Sequence, residues 1–271
     1  MNRFIIALLS SILVLAPVGA HCEISKSRQE SELQRDTKPG SADEQYLAGN
    51  RYYYGEGVVA DYAEASKWYR LAAVQGDSRA QYQLGLMYYI GHGVAQDYAE
   101  AARWYRLAAG NGNAKAQGSL GMMYHEGEGV KKDYAESVRL FRMAAEQGDG
   151  LAQFNLGSMY DNGEGVKQNS AEALKWYRLA AEKGNAEAQF NIGLIYYFGQ
   201  GVQKDFSEAL KWYQMAAALG DANAQYNIGV MYENGEGVQK DLAAAKKWFV
   251  KACKNGQPLG CDALRKPKSA R

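Results

Sequence analysis

Three histidines, three cysteines and several grouped carboxylates are the side chains here that could bind a metal, attack a carbonyl or carry a proton. No two of His21, His92 and His125 share the spacing of metal ligands. Asp161, Glu164 and Glu126 form a carboxylate group, but loop acids recur at Glu56, Glu128, Glu164 and Glu236. Recurrence fits loop chemistry at a surface better than one catalytic pair. Ser158 has no evident base. Loops such as Gly91-His92-Gly93-Val94 resemble a phosphate cradle only in glycine content. No Lys-Ser/Thr follows them and no strand precedes them. These residues therefore predict no catalytic group, no metal and no cofactor.

The elements that hold these residues are repeats. A glycine recurs at Gly49, Gly85, Gly121, Gly157, Gly193 and Gly229, each 36 residues after the last. Trp68, Trp104, Trp176, Trp212 and Trp248 keep the same period, with Leu140 standing in once. Six units follow without insertion, at 41–76, 77–112, 113–148, 149–184, 185–220 and 221–256. Residues 257–271 begin a partial capping helix and end in a basic tail.

Each unit predicts two helices. The first starts after an N-capping residue such as Asp77 or Asn113 and turns Ala80, Leu84, Met87 and Tyr88 to one side. The Gly-x-Gly-Val loop ends it, because glycine accepts positive φ at a helix C-terminus. The second starts at Asp97 with Glu100 three residues on, an acidic capping box, and buries Ala101, Trp104, Tyr105, Ala108 and Ala109. The invariant tyrosines Tyr52, Tyr88, Tyr124, Tyr160, Tyr196 and Tyr232 are core candidates. Gly85 and its equivalents cost helix propensity, so a bulky neighbour must approach there, and the Trp104-type ring is the expected one. A helix pair of this size cannot bury its apolar side alone, which is why the unit repeats.

The pattern AQ-x-x-LG-x-M-Y-x-x-G-x-GV-x-x-D-x-x-E-A-x-x-W-Y-x-x-AA-x-x-G resembles the Sel1-like repeat family over residues 41–256. The tetratricopeptide repeat is the nearest rival, but it has a shorter period and usually a proline near the unit end. The resemblance implies an all-α fold, a right-handed α/α superhelix of helix-turn-helix units acting as a non-catalytic adaptor for protein complexes. Cysteine-rich members join a second helix to the following first helix through two cysteines with seven residues between them. Cys253 and Cys261 have that spacing, so the resemblance implies one C-terminal disulfide. Some cysteine-rich members are associated with β-lactam recognition. The alternative function is therefore a cell-wall-directed or β-lactam-recognising hydrolase, although the repeats hold no Ser-x-x-Lys motif.

Residues 1–20 read as a cleaved signal peptide: Arg3, an apolar run from Phe4 to Ala16, then Val18-Gly19-Ala20. Cys22 follows closely, but His21 is not the small residue a lipidation motif needs. Cys22 stands free, lipidated or paired between chains. Residues 21–40 are polar and charged, as in a flexible leader. The expected location is periplasmic or secreted, in a bacterium, with no membrane span. Without Arg3 the chain carries 30 basic and 30 acidic residues, which does not suit a nucleic-acid partner.

Positions that vary between units are free to recognise something. One first-helix position reads Tyr53, Tyr89, His125, Asp161, Tyr197, Glu233, and the position three residues before it includes Leu86 and Leu194. Tyr53, Leu86, Tyr89, His125, Asp161, Leu194, Tyr197 and Glu233 are the expected partner-binding residues, on a concave first-helix face. A protein or peptide is the expected partner, in envelope assembly, signalling or host interaction, with a polysaccharide as the other possibility. The oligomeric state does not follow from the sequence.

Overall fold

The computed structural model describes residues 40–265. Residues 1–39, with the expected signal peptide, the expected leader and Cys22, and the residues after Arg265 lie outside the described residues. Among the described residues there are thirteen helices and no strand. Unit 1 pairs Ala42–Tyr54 with Tyr62–Val74, unit 2 Ser78–Ile90 with Tyr98–Gly110, and unit 3 Ala114–Glu126 with Tyr134–Glu146. Unit 4 pairs Gly150–Asn162 with Ser170–Glu182, unit 5 Ala186–Phe198 with Phe206–Ala218, and unit 6 Ala222–Asn234 with Leu242–Lys254. Each helix packs on its neighbours in sequence, giving the α/α superhelix. The helix Pro258–Arg265 closes the array, and the Cys253–Cys261 disulfide ties it to the last full unit.

Local signals set these boundaries. Asp77 accepts from the backbone N–H of Arg79 and Ala80, and Asp97 accepts from that of Glu100. The first helix of unit 2 ends at Gly91, φ 76°, in the left-handed region. Among the described residues, only Ser41 and Glu44 form a reciprocal capping box. The acidic box expected at the second helices is one-sided: Glu100 turns to Arg103 at 3.1 Å instead. The same pairing joins Glu64 to Lys67 and Glu136 to Arg139.

The core is shared between units. One cluster combines Ala65, Tyr69, Ala72 and Ala73 of unit 1 with Ala80, Leu84 and Met87 of unit 2, plus Trp104. A unit taken alone would expose half of each such cluster, so the period is a requirement of burial. The mid-helix glycine belongs to this packing, with a different neighbour from the one expected. A Cβ on Gly85 would lie 2.5 Å from Cδ1 of Tyr105, not against Trp104. Tyr69, Phe141, Tyr177, Tyr213 and Phe249 take the same place at the other five glycines. The ring that crosses the bare backbone is thus the residue after the tryptophan, one step round the helix.

Two further features were not visible in the apolar pattern. A buried glutamine in the first helix of units 2 to 6 ties it to the preceding unit: Gln81 Nε2 donates to the Ala73 carbonyl at 3.0 Å, and its Oε1 accepts from Asn111 Nδ2 at 3.0 Å. The invariant tyrosines are half-buried rather than in the core. Tyr88, Tyr124, Tyr160 and Tyr196 accept hydrogen bonds from Arg70, Arg106, Arg142 and Arg178 of the preceding unit at 2.5–3.1 Å.

Candidate functional site

The loop of each unit rests on the preceding unit. A Cβ on Gly93 would fall 2.2 Å from the carbonyl carbon of Tyr62, so only glycine lets the two backbones approach. Gly129 meets Tyr98 in the same way. This docking carries the residue between the two loop glycines to the end of the previous first helix. The variable position at Tyr89 lies there.

The side chains then pair across the unit boundary. Tyr89 donates its hydroxyl hydrogen to Glu128 Oε2 at 2.7 Å, and Tyr197 donates to Glu236 Oε2 at 2.8 Å. His125 places Nε2 3.0 Å from Glu164 Oε2 and Nδ1 2.8 Å from Glu126 Oε1. Each partner across the boundary is 39 residues further along the chain. Where the loop residue is His92 instead of a glutamate, its ring stacks on Tyr62 at 4.8 Å. Glu128, Glu164 and Glu236 are therefore fasteners between units, a role the recurrence of loop acids alone did not reveal.

The same residues also touch the start of their own second helix. Tyr53 meets Tyr62, Tyr89 meets Tyr98 and Tyr197 meets Phe206, each at 5.1 Å between ring centres. His125 meets Tyr134 edge-on at 5.1 Å. In unit 4 both members change together: Asp161 Oδ1 accepts from Ser170 Oγ at 3.4 Å. Glu233, in unit 6, is half-buried. Leu86 and Leu194 are also half-buried, and Leu194 packs on the core shared by units 5 and 6.

Partial burial sets the electrostatics of this row. Burial, then the hydrogen bond to Glu236, pushes the Tyr197 hydroxyl up to about 12. Burial and then Glu128 raise Tyr89 above the usual tyrosine range. Burial also raises Tyr53, helped by Tyr54. Asp161 lies above the ordinary carboxylate value because burial outweighs the help from Ser170. Neutral hydroxyls and rings beside fixed carboxylates can stack and hydrogen-bond with a ligand. Among the described residues no group of three or more His, Cys, Asp or Glu could hold a metal ion.

The most open part of the face lies one residue further on. Tyr54 is 60% exposed and Phe198 is 61% exposed, and each packs its ring 5.0 Å from Tyr53 or Tyr197. Ile90 is exposed between them. Units 3 and 4 carry Glu126 and Asn162 at this position and unit 6 carries Asn234, so a polar middle separates Tyr54 and Ile90 from Phe198.

A family model described as the Sel1 repeat matches residues 45–77, 78–113, 114–149, 150–185, 186–221 and 222–257. Among solved structures, the chain is similar to a protective antigen of uropathogenic Escherichia coli strains that displays an SLR fold. Identity is 39% and the TM-score 0.79, over 89% of this chain and 50% of that one. A Sel1 repeat protein from Oxalobacter formigenes is 36% identical with a TM-score of 0.73, covering 78% of this chain and 85% of its own. The present chain thus spans half the length of the E. coli antigen. Among curated proteins no relative matches.

Proposed function

The chain belongs to the Sel1 repeat family, whose members are generally non-catalytic protein-interaction scaffolds, and on that premise we propose an exported adaptor that binds a protein or peptide along its first-helix face. The observation that carries this reading is the pair of exposed aromatic ends, Tyr54 beside Tyr53 and Phe198 beside Tyr197. Exposed rings held by packed neighbours offer contact area at little cost in side-chain entropy. The polar middle, with His125, Glu126 and Asn162, supplies hydrogen bonds that fix register. A peptide with apolar anchors at two ends and a polar stretch between them fits this order.

Export to the periplasm or beyond is part of the proposal. The sequence of residues 1–20 supports it, as does the Cys253–Cys261 disulfide, since such bonds persist in oxidising compartments. Among the described residues no helix is long and apolar enough to cross a membrane.

The test is crosslinked capture from envelope and culture fractions by the parent and by a Tyr54→Ser/Phe198→Ser variant. Both substituted side chains are exposed, so the unit fasteners at Glu128 and Glu236 remain. We expect a partner held by the parent and released by the variant. A partner held equally by both would remove the first-helix face from the proposal. Detection of a leader still starting at Met1 would remove export.

A further inference from the structure

The tryptophan of the repeat is replaced once, by Leu140, and a cavity lies beside the replacement. At the boundary of units 1 and 2, the Arg70 guanidinium lies 5.9 Å from the Tyr88 ring centre and 5.8 Å from that of Trp104. The indole therefore fills the space beside the arginine. At the next boundary the equivalents are Arg106, Tyr124 and Leu140. Leu140 is buried in the core beneath Tyr124 and Val130 and has no indole to extend outward. A cavity of about 430 Å³ opens there, lined by Arg106, Tyr124, Val130, Lys131, Lys132 and Asp133.

Its charge is one-sided. The residues after the loop valine read Val59-Ala60, Ala95-Gln96, Lys131-Lys132, Lys167-Gln168, Gln203-Lys204 and Gln239-Lys240. Two lysines occur together only in unit 3, where the tryptophan is missing. Arg106 donates to the Tyr124 hydroxyl at 3.1 Å and Lys132 to that of Tyr134 at 3.3 Å. Asp133 is the lining carboxylate, and its Oδ1 already accepts the backbone N–H of Glu136 at 3.0 Å. Three cations thus line a space where Arg106 and Lys132 donate to tyrosine hydroxyls rather than to carboxylates.

We propose that this notch between units 2 and 3 binds a dianionic oxyanion of the phosphate-monoester class, up to the size of a sugar phosphate. Arginine supplies a planar fork to two oxygens, and the lysines add point charges around the third. Val130 and the Tyr124 ring give the esterified carbon skeleton an apolar wall. The site lies on the loop side of the array and is independent of the peptide-binding proposal.

The test is calorimetric titration of the purified chain at low salt with inorganic phosphate, with glucose 6-phosphate, and with glucose as the uncharged control. Binding of either phosphate, without binding of glucose, is the expected result. Tighter binding of the ester identifies an organic ligand, and equal binding identifies the free anion. Arg106→Gln weakens it by about tenfold or more, as for loss of a charged hydrogen bond. Leu140→Trp restores the residue of the other units and closes the notch with every charge kept, so it abolishes binding. Arg142→Gln, at the next boundary, leaves it unchanged. No binding of either phosphate by the folded parent, or full binding by folded Leu140→Trp, would overturn the proposal, as would loss in Arg142→Gln equal to that in Arg106→Gln.

Discussion

The six mid-helix glycines form an internal series for measuring one contact. Glycine to alanine at each position gains the same helix propensity, about 1 kcal/mol. The new Cβ then meets the ring of the second helix at unequal distances. The gap is 2.5 Å at Gly49, Gly85 and Gly193, 2.6 Å at Gly229, 2.8 Å at Gly157 and 3.0 Å at Gly121. Ordinary contact begins near 3.4 Å. At Gly193 the Tyr213 ring must therefore retreat by nearly an ångström. That ring is fully buried and has little room to do so. Overpacking of this kind costs about 1–3 kcal/mol. Gly193→Ala should lose up to about 2 kcal/mol net, once the roughly 1 kcal/mol propensity gain is subtracted from the overpacking cost. Gly121→Ala needs a shift of only a few tenths of an ångström from Phe141, so its two effects nearly cancel. Gly157→Ala falls between. Urea unfolding followed by circular dichroism gives the order, and amide exchange of the substituted unit checks that the loss is local. A flat series, or a Gly193→Ala protein more stable than the parent, would refute the ring-on-backbone account.

Four other outcomes follow from named contacts. Gln189 Oε1 is buried without a hydrogen-bond partner, and the donor position of the other units holds Leu219, which is 55% exposed. Leu219→Asn should supply the donor as Asn111 does for Gln81 and raise stability by about 1 kcal/mol in urea unfolding. The folded-state pKa of Asp161 is raised, chiefly by burial, so its contribution is favourable below the ordinary carboxylate value and is lost as pH rises through the raised one. Asp161→Asn should therefore be the more stable protein at pH 7, with the difference vanishing in acid denaturation profiles. Tyr197, raised to about 12 by burial and Glu236, adds stability that is present below the ordinary tyrosine pKa and is lost as pH rises through about 12. Tyr197→Phe should remove that alkaline component from the pH–stability profile, at a neutral-pH cost of about 1 kcal/mol for the lost bond to Glu236. Cys253→Ser opens a short loop and should cost the closing helix about 2–3 kcal/mol, read as faster exchange of the amides of residues 258–265.

The fold was legible because burial and backbone conformation repeat. A glycine every 36 residues, capping residues at matched offsets and apolar spacing define both helices of each unit. Which ring meets Gly85 was not legible, because Trp104 and Tyr105 are adjacent and both recur as aromatics. Only the rotation of the second helix decides between them. The tyrosines at Tyr88 and its equivalents looked like core because they never vary. A polar role accompanies four of the six: the hydroxyls of Tyr88, Tyr124, Tyr160 and Tyr196 accept from an arginine of the preceding unit. The glutamine ladder was hidden for a related cause. Gln81 spends its side chain on a carbonyl and an amide in neighbouring helices, and apolar periodicity does not report such bonds.

Substitutions within the array are more informative than its constants. A change that serves only drift would leave its neighbours at the consensus type. Here the changes travel together: Asp161 occurs with Ser170, and the exchanged pair hydrogen-bonds where other units stack rings. Leu140 occurs with Lys131 and Lys132, and the exchanged group lines or underlies one basic notch. The first coupling preserves a contact, so it serves the architecture. The second removes an aromatic filler and gathers positive charge, which offers the fold nothing: like charges brought together repel, and a lost indole gives up buried area. A cost without a structural return is what a binding site leaves in a repeat protein, and the notch between units 2 and 3 carries that cost.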